Sequence, residues 1–317
     1  MKEQIKAAAE PLVPHSPGLP WLSRLVRFYL TYFPLRNGKG RVYRAVQAKL
    51  LPPERWVTLK VRQGFWLRLD LLDPAQRYIY FFGEYDERHE IRLLERLLLP
   101  GDRVWDVGAN IGYYALTAAK LVGPQGKVVA FEPAAHAWQA LQDNIALNPW
   151  ASIRLERLAL SDRGGQATLH RQGDYADGGA SLTARAGYHQ ETELVATTTL
   201  DDYLAQSQGP APTFLKIDVE GHEESVLRGG QKLLTSPQAP IILLEMNDPA
   251  RLGQLLSAAG YQGCYRHRRR WRFADTPLAA PSRNMLWLRP DDPRHRERLP
   301  SLGLCACNFF TRCRASS

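Results

Sequence analysis

Hydrophobic and polar positions follow two alternating periods along the middle of the chain. Short runs rich in β-branched residues are each followed by a longer segment whose apolar residues recur every three or four positions. This alternation is typical of parallel βαβ units, in which a helix connects each strand to the next. The predicted strands cover residues 104–107, 127–131, 153–159, 213–218 and 241–245. The predicted helices cover 112–122, 134–147 and 222–229, and a fourth helix follows the last of these strands and ends at Ala259.

Shorter strand patterns surround this central alternation. Before it, a strand is predicted at 65–70, followed by an amphipathic helix over 89–99. Within it, strands are predicted at 165–170 and 193–199, around a glycine-rich loop at 177–182. After it, strands are predicted near 261–265, 271–273 and 284–288. The last three strands of the chain are close together in sequence, which favours antiparallel pairing. We therefore expect an α/β fold with a doubly wound, mostly parallel sheet, an antiparallel finish and an N-terminal extension of helix and strand.

Charge divides the chain into three parts. Residues 1–50 hold nine Lys and Arg against two Asp and Glu, residues 101–260 hold twelve against eighteen, and residues 261–317 hold twelve against four. The net charge of +9 therefore belongs to the ends, and an acidic centre is unlike a domain that binds a nucleic-acid backbone. We expect a basic helical extension over 1–55, a catalytic domain over 56–290 and a basic, loosely ordered tail over 291–317, with no nucleic acid as partner.

Composition limits the class of protein. The chain has 317 residues, 44% hydrophobic and 23% charged, as in ordinary globular proteins. No apolar stretch approaches the roughly 20 residues that span a bilayer, and the first twenty residues lack the apolar core of a signal peptide. We therefore expect a cytoplasmic protein.

The segment Trp21–Phe33 mixes arginine, aromatic and aliphatic residues. We expect it to pack on the catalytic domain, and a helix lying at a membrane surface is the alternative.

The four cysteines do not form a disulfide framework in a reducing compartment. Three of them, Cys305, Cys307 and Cys313, lack a fourth ligand at zinc spacing. We expect incidental thiols there rather than a metal site, and no pattern in the sequence indicates an oligomeric state.

The first predicted strand ends in a glycine-containing turn that leads directly into a helix. Gly108 and Gly112 allow the backbone to turn sharply and to approach a ligand at the carboxyl edge of the sheet. A dinucleotide fingerprint requires glycines where this chain has Asn110 and Tyr113, so a nicotinamide or flavin cofactor is disfavoured. Asp106 at the head of the turn suits a cationic or hydrogen-bond-donating ligand better than a pyrophosphate.

Titratable residues also follow the second and fourth predicted strands. Glu132 ends the second strand, where a carboxylate accepts both hydroxyls of a ribose; an acid that favours the start of the next helix is the alternative. Asp218, Glu220 and His222 lie at the end of the fourth strand and just beyond it. We expect these three side chains to face the cofactor crevice, and capping of the following helix is the alternative for Glu220 and His222.

Seven short segments occur in a recognisable order between residues 83 and 245. They are Gly83–Asp86, Asp106–Tyr114, Phe131–Pro133, Leu158–Asp162, Gly179–Leu182, Thr199–Leu204 and Lys216–His222. In sequence and order they resemble the FkbM-type S-adenosylmethionine-dependent methyltransferases. The resemblance covers about half of the chain, and it implies a class I methyltransferase fold, Rossmann-like with a seven-stranded sheet, and S-adenosylmethionine as cofactor.

The resemblance also implies roles for individual residues. Cofactor contacts fall on Asp106, Gly108, Ala109, Asn110, Gly112, Tyr113, Glu132, Ala159 and Leu160, of which the last two lie at the adenine edge. Substrate contacts fall on Glu84, Tyr85 and Ser181. The implied reaction is methyl transfer to a free hydroxyl of a small molecule, a sugar, or a glycan or lipid-linked substrate.

A base is expected beside this hydroxyl, because an alcohol is a poor nucleophile while it keeps its proton. His222 is the first candidate since an imidazole titrates near neutrality, and Asp218 and Glu220 are the alternatives. No second and third ligand stand at clear spacing from Asp218, so we expect no metal ion. The alternative function is a methyltransferase-like protein without catalysis, whose basic ends bind an anionic partner or a membrane surface.

Overall fold

The computed structural model describes residues 20–33, 38–52, 54–172, 180–183, 190–207, 209–267, 270–274 and 283–304. Its helices are α1 (Pro20–Tyr32), α2 (Lys39–Val46), α3 (Pro74–Phe82), α4 (Arg88–Leu97), α5 (Tyr113–Val122), α6 (Ala135–Ala146), α7 (Leu200–Ser207), α8 (Glu223–Arg228), α9 (Gln231–Thr235), α10 (Pro249–Ala258) and α11 (Pro293–Arg296), followed by a 3₁₀ helix at Leu299–Leu302. Its strands are β1 (Trp56–Lys60), β2 (Trp66–Asp70), β3 (Arg103–Val107), β4 (Lys127–Phe131), β5 (Ile153–Glu156), β6 (Ala159–Leu160), β7 (Gly165–Gln172), β8 (Ala180–Ser181), β9 (Gln190–Thr198), β10 (Phe214–Ile217), β11 (Ile241–Glu245), β12 (Gln262–His267), β13 (Arg270–Phe273) and β14 (Asn284–Leu288). Cys305, Cys307 and Cys313 lie outside the described residues.

An eight-stranded sheet forms the centre of the molecule, in the order β13-β12-β14-β11-β10-β3-β4-β5. The five strands from β11 to β5 are parallel, and β14, β12 and β13 are antiparallel to their neighbours. This confirms the predicted doubly wound α/β sheet with an antiparallel finish. The sheet has one strand more than the seven expected, because β13 pairs with β12 and extends the edge.

The order of the strands reverses between β3 and β10. From β3 the chain continues to β4 and β5 on one side, and it later returns to β10 and β11 on the other side. Ligands of open α/β sheets bind at the carboxyl edge beside such a reversal. The topology therefore places a binding crevice next to the turn that follows β3.

Helices cover both faces of this sheet. β10 and β11 are buried at every position, as expected for parallel strands in the middle of a doubly wound sheet. Alternation along β3 directs Trp105 and Val107 into one hydrophobic core and Val104 into the other. Asp106 consequently points to the same face as Val104, toward α5 and away from the Trp105 core.

Two asparagines, Asn144 on α6 and Asn148 just after it, hold the hairpin β1–β2 in place. Asn144 Oδ1 accepts a hydrogen bond from the Arg68 N–H at 2.6 Å, and Asn148 Oδ1 accepts one from the Trp66 N–H at 2.9 Å. The Asn144 amide also donates to the Ile111 carbonyl at 2.9 Å, within the turn after β3. Asn144 thus connects the edge of β2 with the predicted cofactor turn.

A second sheet, β6-β9-β7-β8, covers one side of the crevice. The predicted strand at 153–159 is divided between the two sheets, since β5 belongs to the central sheet and β6 pairs with β9. The predicted strands at 165–170 and 193–199 correspond to β7 and β9. Of the glycine-rich loop at 177–182, only residues 180–182 are among those described.

Residues 291–304 pack on the domain, which differs from the loose tail expected for 291–317. The Arg298 guanidinium pairs with both carboxylate oxygens of Asp102 at 2.9 and 3.0 Å. His295 is buried, and its Nδ1 accepts a hydrogen bond from the Arg289 N–H at 2.8 Å. Leu299, Leu302 and Leu304 of this segment are also buried in the hydrophobic core. Polar pairs and these leucines together hold the segment, and so short an apolar pattern does not predict its packing.

The described residues of the N-terminal extension, 20–33 and 38–52, include the helices α1 and α2. α1 packs along α3: Leu30 is buried, and the Thr31 hydroxyl donates to the Phe81 carbonyl at 3.1 Å. The predicted contact of Trp21–Phe33 with the catalytic domain is therefore present on one face of α1. Among the described residues, no helix is both long and apolar enough to cross a membrane.

Asn144→Ala is expected to destabilise the protein, because it removes the hydrogen bonds that Asn144 makes to the partly buried Arg68 N–H and to the buried Ile111 carbonyl. Each unsatisfied group costs roughly 1–3 kcal/mol, so the free energy of unfolding should fall by about 2–4 kcal/mol in urea titrations. Gln139→Ala is the matched control, since Gln139 lies on the same helix and its hydrogen bond to Asp143 is exposed. Equal losses in the two variants would contradict the bridging role.

Candidate active site

A cavity opens at the carboxyl edge of the central sheet, where β3, β4 and β10 end. Seven of the nine residues assigned to the cofactor line it: Gly108, Ala109, Asn110, Tyr113, Glu132, Ala159 and Leu160. The three catalytic candidates, Asp218, Glu220 and His222, also line it, together with the substrate candidate Tyr85. Asp106, Gly112, Glu84 and Ser181 are not part of its lining.

The turn after β3 requires glycine at two positions. Gly108 has a φ of 80°, and a Cβ there would lie 2.0 Å from the Asp218 carbonyl oxygen, so the turn passes directly against the end of β10. Gly112 has a φ of 89°, and a Cβ there would lie 2.5 Å from Cδ1 of Leu141 on α6. Gly112 therefore allows helix packing, and Gly108 allows the turn to approach β10.

Asp106 holds a side chain of the protein itself, which differs from the external cationic ligand expected for it. The Asp106 carboxylate is 1% exposed, and its Oδ1 lies 3.4 Å from Lys216 Nζ. Burial raises the pKa of Asp106, and the Lys216 charge opposes that shift. The sheet register places Lys216 directly opposite Asp106 on the neighbouring strand.

Lys216 joins two carboxylates inside the sheet. Its Nζ lies 3.4 Å from Asp106 Oδ1, 3.4 Å from Asp218 Oδ2 and 4.5 Å above the ring of Tyr114. Burial alone would lower the pKa of Lys216, but Asp218 and Asp106 outweigh burial and raise it above its ordinary value. Burial likewise raises the pKa of Asp218, but the Lys216 ammonium, a hydrogen bond with Glu245 and the Arg283 charge together outweigh burial and hold this pKa below its usual range. Lys216 is charged, and it helps to keep Asp218 ionised.

Glu132 is oriented by two backbone N–H groups at the end of β4. Its Oε2 accepts from Asn110 at 2.8 Å, and its Oε1 accepts from Ala134 at 2.9 Å, just before α6. Asn110 has a φ of 49°, a left-handed conformation that asparagine tolerates. Burial raises the pKa of Glu132 to about 7, although the two N–H groups oppose that shift. Each carboxylate oxygen can accept a second hydrogen bond, so Glu132 can bind two ligand hydroxyls.

A cluster of carboxylates lies where β10 and β11 end. Asp218, Glu220 and Glu245 bring oxygens within 4.8 Å of one another, and burial together with Asp218 raises the pKa of Glu245 to about 8. The Arg283 guanidinium donates to Glu245 and lies 3.5 Å from Glu220 Oε1. Oxygen ligands at this spacing suit a divalent cation, but Arg283 supplies a positive charge there. The expected absence of a metal ion stays a prediction.

The loop after β10 is held in an unusual conformation. Glu220 has a φ of 54°, which is uncommon for a residue with a side chain and marks a position that its surroundings stabilise. Glu223 Oε1 accepts hydrogen bonds from the Val219 and Gly221 N–H groups at 3.3 and 3.0 Å. Ser181, predicted to contact substrate, donates instead to the Glu220 carbonyl at 2.8 Å, and it therefore positions this loop.

His222 lies toward the part of the cavity formed by Leu160. Its Nε2 is 2.9 Å from Ser161 Oγ, and the Ser161 hydroxyl donates to Asp162 Oδ1 at 3.1 Å. Burial lowers the pKa of His222, although Asp162 opposes that shift, so the ring is neutral at pH 7. Ser161 directly follows Leu160, whereas Asp218 contacts the turn after β3.

A further part of the cavity wall carries Tyr85, Glu87 and Tyr114. The Tyr114 hydroxyl donates to Glu87 Oε2 at 2.5 Å, and Asn284 donates to the other Glu87 oxygen at 3.2 Å. Burial and Asp218 raise the pKa of Glu87. Glu87 and Asp218 thus place two carboxylates on the same cavity, whose lining also includes Lys216.

The two predicted substrate contacts near the start of α4 differ in position. The Tyr85 N–H donates to the Tyr113 hydroxyl at 3.1 Å, which connects Tyr85 to the cofactor turn. Glu84 pairs with Arg88 at 2.9 Å and with Arg62 at 3.4 Å. Of the two, Tyr85 therefore lies on the cavity and Glu84 in an ion-pair network beside it.

Comparison with known proteins identifies the family. The model of the methyltransferase FkbM domain matches residues 106–263. The hexuronic acid methyltransferase AglP of Haloferax volcanii is 31% identical over 174 residues, which cover 55% of this chain and 69% of AglP. The chain belongs to the FkbM methyltransferase family. Membership confirms the predicted resemblance and the predicted S-adenosylmethionine-dependent methyltransferase.

Two further relatives are named for different activities. The 31-O-demethyl-FK506 methyltransferase FkbM of Streptomyces tacrolimicus is 36% identical over 42% of this chain and 60% of its own length. The 2-O-methyltransferase NoeI of Sinorhizobium fredii is 28% identical over 54% of this chain and 77% of its own length. The solved structure of methyltransferase FkbM from Methylobacillus flagellatus is 18% identical with a TM-score of 0.41, and the match covers 67% of this chain and 52% of that one.

Four side chains of the FkbM-family enzyme's site have no role in the sequence analysis: Lys216, Glu87, Glu245 and Arg283. Lys216 interrupts an apolar strand, which is a signal for a paired buried charge. Glu245 ends β11 as Glu132 ends β4, so the strand-end rule could have identified it. Glu87 and Arg283 reach the cavity from distant parts of the chain, and no local pattern marks them.

Glu132→Gln is expected to change how stability depends on pH. In the wild type, the pKa of about 7 exceeds the ordinary 4.5, so the folded state holds the proton more firmly than the unfolded state. The free energy of unfolding relative to the variant should therefore fall as pH rises from 4.5 to 7 and be constant above it. The total fall should be ~3 kcal/mol, at about 1.4 kcal/mol per pKa unit. Urea titrations at several pH values measure it, and a constant difference would contradict the burial of this charge.

Proposed function

We propose that this enzyme transfers a methyl group from S-adenosylmethionine to a hydroxyl of a sugar or another hydroxyl-rich small molecule. The observation that carries the proposal is that Glu132 and Asp218 line one cavity, from the strands on either side of β3. Glu132 is oriented to accept hydroxyls of a cofactor ribose. Asp218 lies against the turn that would hold the reacting end of the cofactor.

The residues present fit S-adenosylmethionine. Leu158, Ala159 and Leu160 give an apolar surface for the adenine, and Glu132 can accept hydrogen bonds from both ribose hydroxyls. The acidic end of the cavity, with Asp218 and Glu220, favours the positively charged end of the cofactor. When bound, this cofactor supplies an electrophilic methyl group on a sulfonium ion.

Asp218 is proposed to accept the proton of the acceptor hydroxyl. It is ionised because Lys216 lies 3.4 Å away, and it adjoins the turn after β3 through the Gly108 contact. We place it ahead of His222, whose ring is bound to Ser161 on the Leu160 side of the cavity. On this basis the imidazole helps to bind the adenosine part of the cofactor, and the carboxylate orients the nucleophile.

Three carboxylates and a tyrosine on the cavity wall indicate the chemistry of the methyl acceptor. Glu87, Asp218 and Glu220 accept hydrogen bonds, and Tyr85 adds an aromatic surface beside them. Hydroxyl groups of a carbohydrate donate to carboxylates, and its C–H faces pack on aromatic rings. The relatives AglP, a hexuronic acid methyltransferase, and NoeI, a 2-O-methyltransferase, support an acceptor of this kind.

Isothermal titration calorimetry with S-adenosylmethionine and S-adenosylhomocysteine tests the cofactor directly. Saturable binding that Glu132→Ala abolishes is expected, because this variant removes the ribose acceptor. Lack of binding at millimolar ligand would contradict the proposal and favour the alternative of a non-catalytic protein whose basic ends bind an anionic partner.

Asp218→Asn and His222→Ala separate the two candidate bases. Asp218→Asn should reduce methyl transfer by roughly 100-fold or more with little change in the dissociation constant for S-adenosylhomocysteine. His222→Ala should mainly weaken cofactor binding. The assay follows labelled methyl groups into metabolite and glycan extracts, and an unchanged midpoint of urea unfolding shows that each variant is folded. The reverse pattern, with turnover lost only in His222→Ala, would assign the base to His222.

A further inference from the structure

The outward face of α1 is a stripe of large apolar side chains. Trp21, Leu25, Phe28 and Tyr32 are between 56% and 67% exposed. Their spacing of four, three and four residues places them on one side of the helix. Single exposed apolar residues are ordinary, but a contiguous row of this kind marks a surface that binds a partner.

The opposite face of α1 is already anchored to the catalytic domain. The Arg27 side chain donates to the Tyr80 carbonyl at 3.0 Å, and its guanidinium lies 4.2 Å from the centre of the Tyr80 ring. Leu30 is buried beside the hydrogen bond from Thr31 to Phe81. The exposed stripe is therefore not the face by which α1 attaches to its own domain.

The charge around the stripe identifies the chemistry of the partner. Residues 20–53 contain seven Lys and Arg and no Asp or Glu. Among them, Arg24, Arg41, Arg44 and Lys49 are exposed. Aromatic and aliphatic side chains flanked by cations are suited to the surface of an anionic bilayer, where the apolar groups enter the interface and the cations meet the headgroups. A second copy of the same face would bring like charges together, and a nucleic acid offers no apolar phase for Leu25 and Phe28.

The end of α1 also contacts the segment that leads into the cavity. Arg62 donates to the Thr31 carbonyl at 3.1 Å and pairs with Glu84 at 3.4 Å. Tyr85, the next residue, lines the cavity. A membrane that binds the stripe would therefore lie close to the segment that carries Tyr85.

We propose that the outward face of α1 docks on an anionic membrane surface. Docking does not depend on the reaction that the enzyme catalyses. Docking would bring the cavity to hydroxyl acceptors carried on lipids, and this consequence rests on the proposed O-methylation. The carboxylates and Tyr85 would then receive an acceptor presented at the bilayer surface.

Vesicle co-sedimentation of the full chain tests docking. We expect binding to phosphatidylglycerol–phosphatidylcholine vesicles, weaker binding at high salt, and little binding to phosphatidylcholine alone. Trp21→Ser with Phe28→Ser should weaken binding roughly tenfold or more, since each removes an aromatic group from the interface. Arg41→Glu with Arg44→Glu should weaken it as well.

Trp150→Ser with Leu194→Ser is the matched control, because both side chains are large, exposed and remote in sequence from α1. This variant should bind vesicles as the wild type does. Unchanged urea midpoints and unchanged S-adenosylhomocysteine binding show that all variants are folded, and they also separate a failure of docking from a failure of the proposed function.

Three outcomes would overturn the proposal. The first is no vesicle binding by the full chain. The second is equal binding to neutral and anionic vesicles, or binding that the stripe variant retains. The third is a dimer, seen by analytical ultracentrifugation, that the stripe variant abolishes while vesicle binding is absent, since this would assign the face to a second copy of the chain.

Discussion

A buried ammonium between two carboxylates is the interaction on which the site depends. Lys216 contacts Asp106 on β3 and Asp218 on its own strand, and β3 and β10 are the strands between which the order of the sheet reverses. A charge removed from water is stable only when it is paired. The pairing therefore fixes the relative position of the turn after β3 and the Asp218 carboxylate on the cavity, and it helps to keep that carboxylate ionised.

For Glu132 and Glu245, in contrast to Asp218, burial outweighs the groups that stabilise the ionised carboxylate. Glu132 and Glu245 lie in surroundings that raise their pKa values to about 7 and about 8, so their ionised forms are costly to bury near neutral pH. Glu220 is held with a positive φ by contacts from Glu223 and Ser181. Such strained and partly desolvated groups persist because the apolar cores on both faces of the sheet stabilise the domain as a whole. Their concentration around one cavity is what distinguishes this edge of the sheet from the rest of the surface.

Local patterns predict the sheet and most of the cavity wall, but not how side chains pair across strands. The strand-end rule places Glu132 and Asp218 on the cavity because a parallel sheet brings the carboxyl ends of its strands to one edge. Asp106 lies one position before Val107, the last residue of β3, and pleating turns its side chain toward α5 and Lys216. The contact between His222 and Ser161 joins residues 61 positions apart, and only the packing of the second sheet brings them together.

The residues before Asp106 lie outside the family match, which begins at that residue, yet they contact the surroundings of the cavity. Their hairpin is joined to the cofactor turn through Asn144, and their first helix is joined through Arg62 and Glu84 to the segment that carries Tyr85. Ile111 and Tyr85, which these two attachments reach directly or through a neighbouring residue, both line the cavity. The end of α1 is therefore connected to the cavity through two polar contacts of Arg62, one with the Thr31 carbonyl and one with Glu84, which precedes Tyr85. The proposed docking of α1 on a membrane would therefore act close to the segment that carries Tyr85.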